Sequence, residues 1–397
     1  MILFAIKFIL TNILFSLAAG LVLVRINSSR GESPKYFNLK LLFYSLGIGP
    51  VFSVLLLYFL FLLLPGFSHY FYLAAVLAVY LILFIWGRKS VPILLGEIKG
   101  ALLSAFGAFK EYSLSGKGKS LLYSLSVLSL PVLFLVVYFN NTLHIPIEGH
   151  DILIYGNIGK MYYEEKAVSY SHTIHDKKSG FVFEGTPKPA VSLLLTWEMI
   201  LNRVFTGKET WKPREMYSDM YFRSISVYYG LLLLFLFFFL LRPVNKYLAL
   251  LGIVFLTTGL RFMITMLEHH LDTYRMFFLF VSWIFLADGI KRWTLPNIAS
   301  GISKSGETNS AFWSIRENYH LFLLGIFSGF AGFTHLIGFA AAVLNCSAFF
   351  LFSQIPFKRR AVKTLFLFLV MLLFGGIHYL LDIAWGARSG LSAYWTS

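Results

Sequence analysis

"LLYSLSVLSLPVLFLVVYF" (121–139) runs for nineteen residues without a charge, and "EGHDILIYGNIGKMYY" (148–163) follows it closely. The first stretch is long and apolar enough to cross the hydrocarbon core of a bilayer, which takes about 20 residues of helix. The second opens with Glu148, His150 and Asp151. Ionisable groups at the end of a span are costly unless something uses them. The pair therefore predicts a membrane helix with polar chemistry at its mouth.

The rest of the chain agrees. Its 397 residues are 57% hydrophobic, 18% aromatic and only 13% charged, with a mean hydropathy of +0.71. Soluble domains carry about 25% charged residues, so a water-soluble fold is excluded. The net charge of +15 raises nucleic acid as a partner. The basic residues lie in short segments between apolar runs, however, which is the pattern of topology signals and anionic lipid contacts. Membrane lipids are therefore expected as partners and nucleic acid is not. Cys346 is the single cysteine, which leaves no disulfide framework and no Cys-based metal site. The N-terminal "MILFAIKFILTNILFSLAAG" runs on to Val24 before meeting Arg25. It reads as a retained span rather than a cleaved leader.

Apolar runs near 2–24, 40–64, 69–86, 120–139, 222–241, 246–262, 274–290, 319–334, 336–353 and 364–381 predict an all-α polytopic membrane protein of about ten transmembrane helices. With alternating spans, the Lys and Arg residues of 25–40, 88–119, 242–246, 291–316 and 358–363 all fall on one side, which is then cytoplasmic. The long segment 140–221 is external, as are 65–70, 261–275, the turn at His335 and the tail after Asp382. Segments 26–38 and 297–310 read as cytoplasmic connectors.

The candidate residues share the outer side. Asp151 begins an apolar and aromatic stretch suited to a helix at the membrane interface. Pro187 and Pro189 precede a second amphipathic stretch, "AVSLLLTWEMI" (190–200). Asp219 and Arg223 stand one helical turn apart at the entry to the next span, the spacing of an intrahelical ion pair as well as of a ligand set. "EHHLDTYR" (268–275) brings His269 and His270 between two acids, Glu268 and Asp272. Imidazole suits Zn²⁺ or Mn²⁺, whereas Mg²⁺ prefers oxygen. The same residues also serve as interfacial polar groups. His335 is a lone imidazole between apolar runs.

In order and spacing these features resemble the GT-C superfamily of integral-membrane glycosyltransferases, nearest the bacterial protein-mannosyltransferase-like and aminoarabinose-transferase-like branch. The resemblance rests on Asp151 four residues before Tyr155, on Lys188-Pro189 entering an amphipathic helix, and on Asp219 four before Arg223. It rests also on Asp272 before an aromatic-rich span, and on a Gly-rich helix end carrying His335 where relatives often have Lys. It covers roughly 120–381. The family's paired acids are replaced here by Glu148-Gly149-His150-Asp151.

The resemblance implies three N-terminal helices with cytoplasmic loops (1–119) ahead of a seven-helix GT-C-like core (120–397). Amphipathic helices would lie in the catalytic loop 140–221. It implies transfer of a sugar from a polyprenyl-phosphate donor to a lipid, glycan or protein acceptor. The protein would be integral to the bacterial inner membrane with its site facing outward. Asp151 is the implied general base, with Glu148 as the alternative. Lys188, Arg223, Arg261 and Arg275 are candidates for the donor phosphate. His150, Asp219, His269, His270, Asp272 and His335 are candidates for a divalent metal (Mg²⁺, Mn²⁺ or Zn²⁺) or for donor contact. A flippase of lipid-linked sugars and an inactive subunit of the same fold are the other readings.

Overall fold

The computed structural model describes residues 2–29, 36–114, 129, 133, 136–137, 150–168, 189–207, 220–259, 272–292, 315 and 318–384. Every regular element among these is a helix, and the chain is an all-α integral membrane protein. Five helices are long and apolar enough to cross a bilayer: Ile2–Ser28 (α1), His69–Ser104, Tyr221–Leu241, Asp272–Lys291 and Phe357–Leu381. A sixth is counted if the bent pair Phe37–Ser45 (α2) and Ile48–Leu63 (α3) forms one span. Three expected spans coincide with shorter apolar helices: Lys246–Thr258 (α9), Tyr319–Thr334 and Leu336–Phe352. The expected span at 120–139 lies, but for four residues, outside the described residues.

One expectation is corrected. The basic segment after the third span, read as a loop, is helical to Leu114. His69–Gly87 (α4) passes through a 3₁₀ turn at Arg88–Ser90 into Val91–Leu114 (α5). Leu94, Leu95, Ile98, Leu102 and Leu103 recur at helical spacing there, and the interspersed lysines masked the period.

The Cα framework forms two compact units, residues 1–49, 78–149 and 217–273, and residues 50–77, 150–216 and 274–397.

In the first unit, α1 contains a π-helical turn at Ile9–Leu14 and buries a polar face of Lys7, Thr11, Asn12 and Ser16. Met220–Leu241 (α8) packs against it. The Tyr221 hydroxyl donates to Asn12 Oδ1 at 3.1 Å, and Tyr228 donates to the Asn12 carbonyl at 3.1 Å. A π turn leaves carbonyls without their ordinary helical partner, and Tyr228 takes one of them.

Tyr228 and three further hydroxyls seal the break between α2 and α3, a bend of 52°. Pro50 has no N–H to offer the carbonyl of Leu46 four residues earlier, so the ladder opens there. Ser16 Oγ donates to Leu46 O at 2.6 Å, and Tyr228 reaches the same carbonyl at 2.8 Å. Tyr229 donates to Gly47 O, Tyr80 donates to Gly49 O at 3.0 Å, and the Gly49 N–H is returned to Ser16 Oγ at 3.0 Å. Irregular backbone at membrane depth is tolerated only where protein satisfies it. Gly49 is required because a Cβ there would lie 2.3 Å from the Thr11 carbonyl oxygen. We expect Tyr229→Phe to leave Gly47 O without this donor and cost about 1–3 kcal/mol. Thermal unfolding in detergent, with the exposed Tyr70→Phe as control, checks this.

At the other end of α1, Asn27 Nδ2 donates to Asn38 Oδ1 at 2.9 Å and Asn38 Nδ2 to Glu97 Oε1 at 2.7 Å. The Leu39 N–H donates to Glu97 Oε2 at 3.1 Å. Glu97, the one acid among 87–110, thus ties α5 to the N-terminus of α2, where a carboxylate is favoured.

In the second unit, His150–Glu165 (α6) lies along Pro189–Thr206 (α7). The crossing is close. A Cβ on Gly159 would sit 2.6 Å from Ser192 O, and Thr196 Oγ1 donates to Gly159 O at 2.8 Å. The expectation that α7 is amphipathic is met by a helix buried on nearly every side, including Trp197 at 0% and Glu198 at 1% exposure. The end of α6 docks on the turn after α3. The Gly66 N–H donates to Lys166 O at 3.1 Å, and His69 donates through Nε2 to Tyr163 O at 3.1 Å while its ring stacks on Tyr163 at 4.2 Å. Segments 65–70 and 162–166 therefore meet directly.

Asp272–Arg292 (α10) from Tyr274 onward, Tyr319–Thr334 (α11), Leu336–Phe352 (α12) and Phe357–Met371 (α13) complete the unit, with Ile377–Ala384 (α14) following a π turn at Leu372–Gly376. Asn345 Nδ2 on α12 lies 3.0 Å from Ser282 Oγ of α10 and 2.9 Å from Ser328 Oγ of α11. Such bonds hold helices together where apolar burial supplies no driving force between them.

Candidate functional site

Asp151 is the second residue of α6 and Tyr155 stands one turn later on it. The Asp-x₃-Tyr spacing thus falls on a helix, with Asp151 in its first turn. His150 opens the same helix. Asp272 likewise opens α10, and Arg275 follows one turn on. Arg223 lies in the first turn of α8, in the first unit. Glu148, Lys188, Asp219, Arg261, Glu268, His269 and His270 fall outside the described residues.

Two of the expected residues meet directly. His335 separates α11 from α12 in extended backbone (φ −163°, ψ 148°) and caps α12, its Nδ1 accepting the Ile337 N–H at 3.0 Å. Arg275 Nη1 lies 3.3 Å from the same nitrogen. An Nδ1 that accepts a backbone N–H carries no proton, so the neutral ring holds its hydrogen on Nε2. The contact sets a cationic guanidinium against a neutral imidazole at the start of α12, and guanidinium is the group best suited to phosphate oxygens. The cap is separable from the chemistry. His335→Ala is expected to cost about 1 kcal/mol, whereas Asn, itself a strong cap, is expected to cost only a few tenths. Comparing the melting of the two variants tests the assignment.

The structure also brings forward residues that the sequence reading passed over. His378 on α14 is buried, its Nδ1 3.4 Å from the Tyr58 hydroxyl, and the neighbouring Tyr379 donates to Gly332 O at 2.8 Å. A lone histidine in "FGGIHYLL" (374–381) carries the same signal as His335, an ionisable group inside an apolar run. Glu198 on α7 is buried as well, at 1% exposure. Among the described residues no three His, Cys, Asp or Glu side chains converge as a metal site would require. Three of the candidate ligands, Asp219, His269 and His270, lie outside those residues. No protein-family model, curated protein or solved structure matches this chain.

Proposed function

We propose that the protein is a GT-C-type membrane glycosyltransferase. It would have about ten spans, a core over 120–397, and a site on the extracytoplasmic side of a bacterial inner membrane. The observation that carries this reading is the Arg275–His335 pair. Two residues assigned independently to different outer turns are in contact, in the compact unit that also holds α6 with Asp151.

In the proposed reaction an acceptor hydroxyl or amine attacks the anomeric carbon of a polyprenyl-phosphate sugar. Asp151 takes the acceptor's proton, with Glu148 as the alternative base. The bond between the anomeric carbon and the phosphate oxygen breaks, and polyprenyl phosphate leaves with the electron pair. Arg275 and the Nε2–H of His335 supply positive charge and a hydrogen bond to that developing charge, with Arg223, Lys188 and Arg261 as further candidates. The inversion usual in the family follows from attack on the face opposite the leaving group.

The α2–α3 break favours a second reading, because transporters use discontinuous helices at their substrate sites. Here, however, the opened carbonyls of Leu46, Gly47 and Gly49 are each met by a side-chain hydroxyl, which suits a structural joint better than a binding site. A transfer assay on purified protein with a panel of polyprenyl-phosphate sugars tests the proposal. A chelator arm covers the candidate ligands Asp219, His269, His270, Asp272 and His335. Transfer from at least one donor is expected; transfer from none, in a folded preparation, refutes it.

A further inference from the structure

Between α12 and α13 runs an open groove of about 570 Å³. Its walls are almost wholly apolar, with Val343, Phe350 and Leu351 from α12 and Leu365 and Phe368 from α13. Beside it, Leu344, Leu351, Phe352 and Leu369 are exposed, as side chains facing lipid are. Two polar atoms break the pattern. Thr364 Oγ1, in the groove wall, and Arg360 Nε are buried with no hydrogen-bond partner among the described residues. Arg360 lies at the groove's end, its guanidinium 5.8 Å from the Phe350 ring centroid and one Nη2–H held by Ile355 O at 3.0 Å.

That end is strongly basic. Lys358, Arg359 and Arg360 are consecutive in the first turn of α13. An apolar trough open to the bilayer, ending in positive charge, matches a molecule with an apolar tail and an anionic head. Basic pockets between membrane helices on the cytoplasmic side bind anionic headgroups for this reason.

We propose that the α12–α13 groove binds an anionic phospholipid, one acyl chain lying along Val343, Phe350, Leu365 and Phe368 and the phosphate held by Lys358 and Arg360. The assignment is independent of the catalytic reading, since it concerns the opposite end of the helices from His335.

The test uses the full chain, purified and exchanged into nanodiscs or detergent. Retained lipid is counted by native mass spectrometry after titration with phosphatidylglycerol or phosphatidylcholine of matched chains. Wild type is expected to retain phosphatidylglycerol preferentially. Lys358→Gln with Arg360→Gln is expected to lower that retention by roughly 10- to 30-fold. Ser347→Trp, which fills the groove from an exposed position, is expected to lower retention of phosphatidylglycerol with the basic end intact. If loss of the Arg360–Ile355 bond prevents folding, Lys358→Gln alone carries the charge test. Equal retention of both lipids, or a preference unchanged by the charge and groove variants, overturns the proposal. So does displacement of the lipid by inorganic phosphate at equal concentration.

Discussion

Asp151→Asn is expected to reduce sugar transfer by roughly 10²- to 10⁴-fold, the usual contribution of a positioned general base, while the protein is produced and melts much as wild type. Asn keeps the shape of Asp and removes only its charge. Because Asp151 lies in the first turn of α6, losing that charge weakens the helix terminus by about 0.3–1 kcal/mol, too little to unfold a packed helix. A large loss of turnover with a small loss of stability is the signature of a base. Glu148→Gln is the necessary comparison, since the two acids stand three residues apart and the sequence leaves both open. If transfer survives Asp151→Asn and fails in Glu148→Gln, the proton goes to Glu148. If it survives both, neither is the base.

The largest structural effect is expected at Gly375. Its φ of +140° is a conformation that side-chain-bearing residues rarely adopt. A Cβ there would also lie 2.3 Å from Phe333 Cβ and 2.7 Å from the Gly329 carbonyl oxygen. Strain of this kind costs about 1–3 kcal/mol, and overpacking a tight contact adds about as much again. Gly375→Ala is therefore expected to give little monodisperse protein on size-exclusion chromatography in detergent. Gly66→Ala is the control, because Gly66 also has positive φ (+81°) but nothing within 4 Å of an added Cβ. That variant is expected to lose about 1–2 kcal/mol and to remain folded. The consequence reaches the site, since the π turn at Leu372–Gly376 sets where α14 begins and hence where His378 meets Tyr58.

Hydrophobic length was the dependable signal in this sequence. The runs at 2–24, 222–241 and 274–290 match α1, α8 and α10 to within a few residues. Three features were harder to read. In "LGIGPVF" (46–52) the glycines and Pro50 lie inside an unbroken apolar run, so the α2–α3 break is visible only through what Pro50 fails to donate. In α7, Ser192 and Thr196, and likewise Glu198 and Asn202, recur at four-residue spacing. Each pair marks its own face of the helix as polar, yet protein covers both faces, and periodicity does not distinguish a covered polar face from a water-facing one. In α5, scattered lysines disguised a helix as a loop. Of the candidate site, Arg275 and His335 were each legible as polar residues at helix ends, but their contact was not, since nothing in the sequence pairs the start of α10 with the α11–α12 turn. His378 and Glu198 were not singled out, since each is a lone polar residue whose partners come from distant segments.

The most direct measurement follows the glycosyl–phosphate bond itself. Purified protein in sealed proteoliposomes is supplied with a sugar-labelled polyprenyl-phosphate donor and an acceptor, and free polyprenyl phosphate and glycosylated acceptor are counted by mass spectrometry. A glycosyltransferase releases one polyprenyl phosphate for each sugar transferred, with wild type active and Asp151→Asn silent. Donor carried across the bilayer with its bond intact, and no glycosylated acceptor, contradicts that function and assigns the fold to transport.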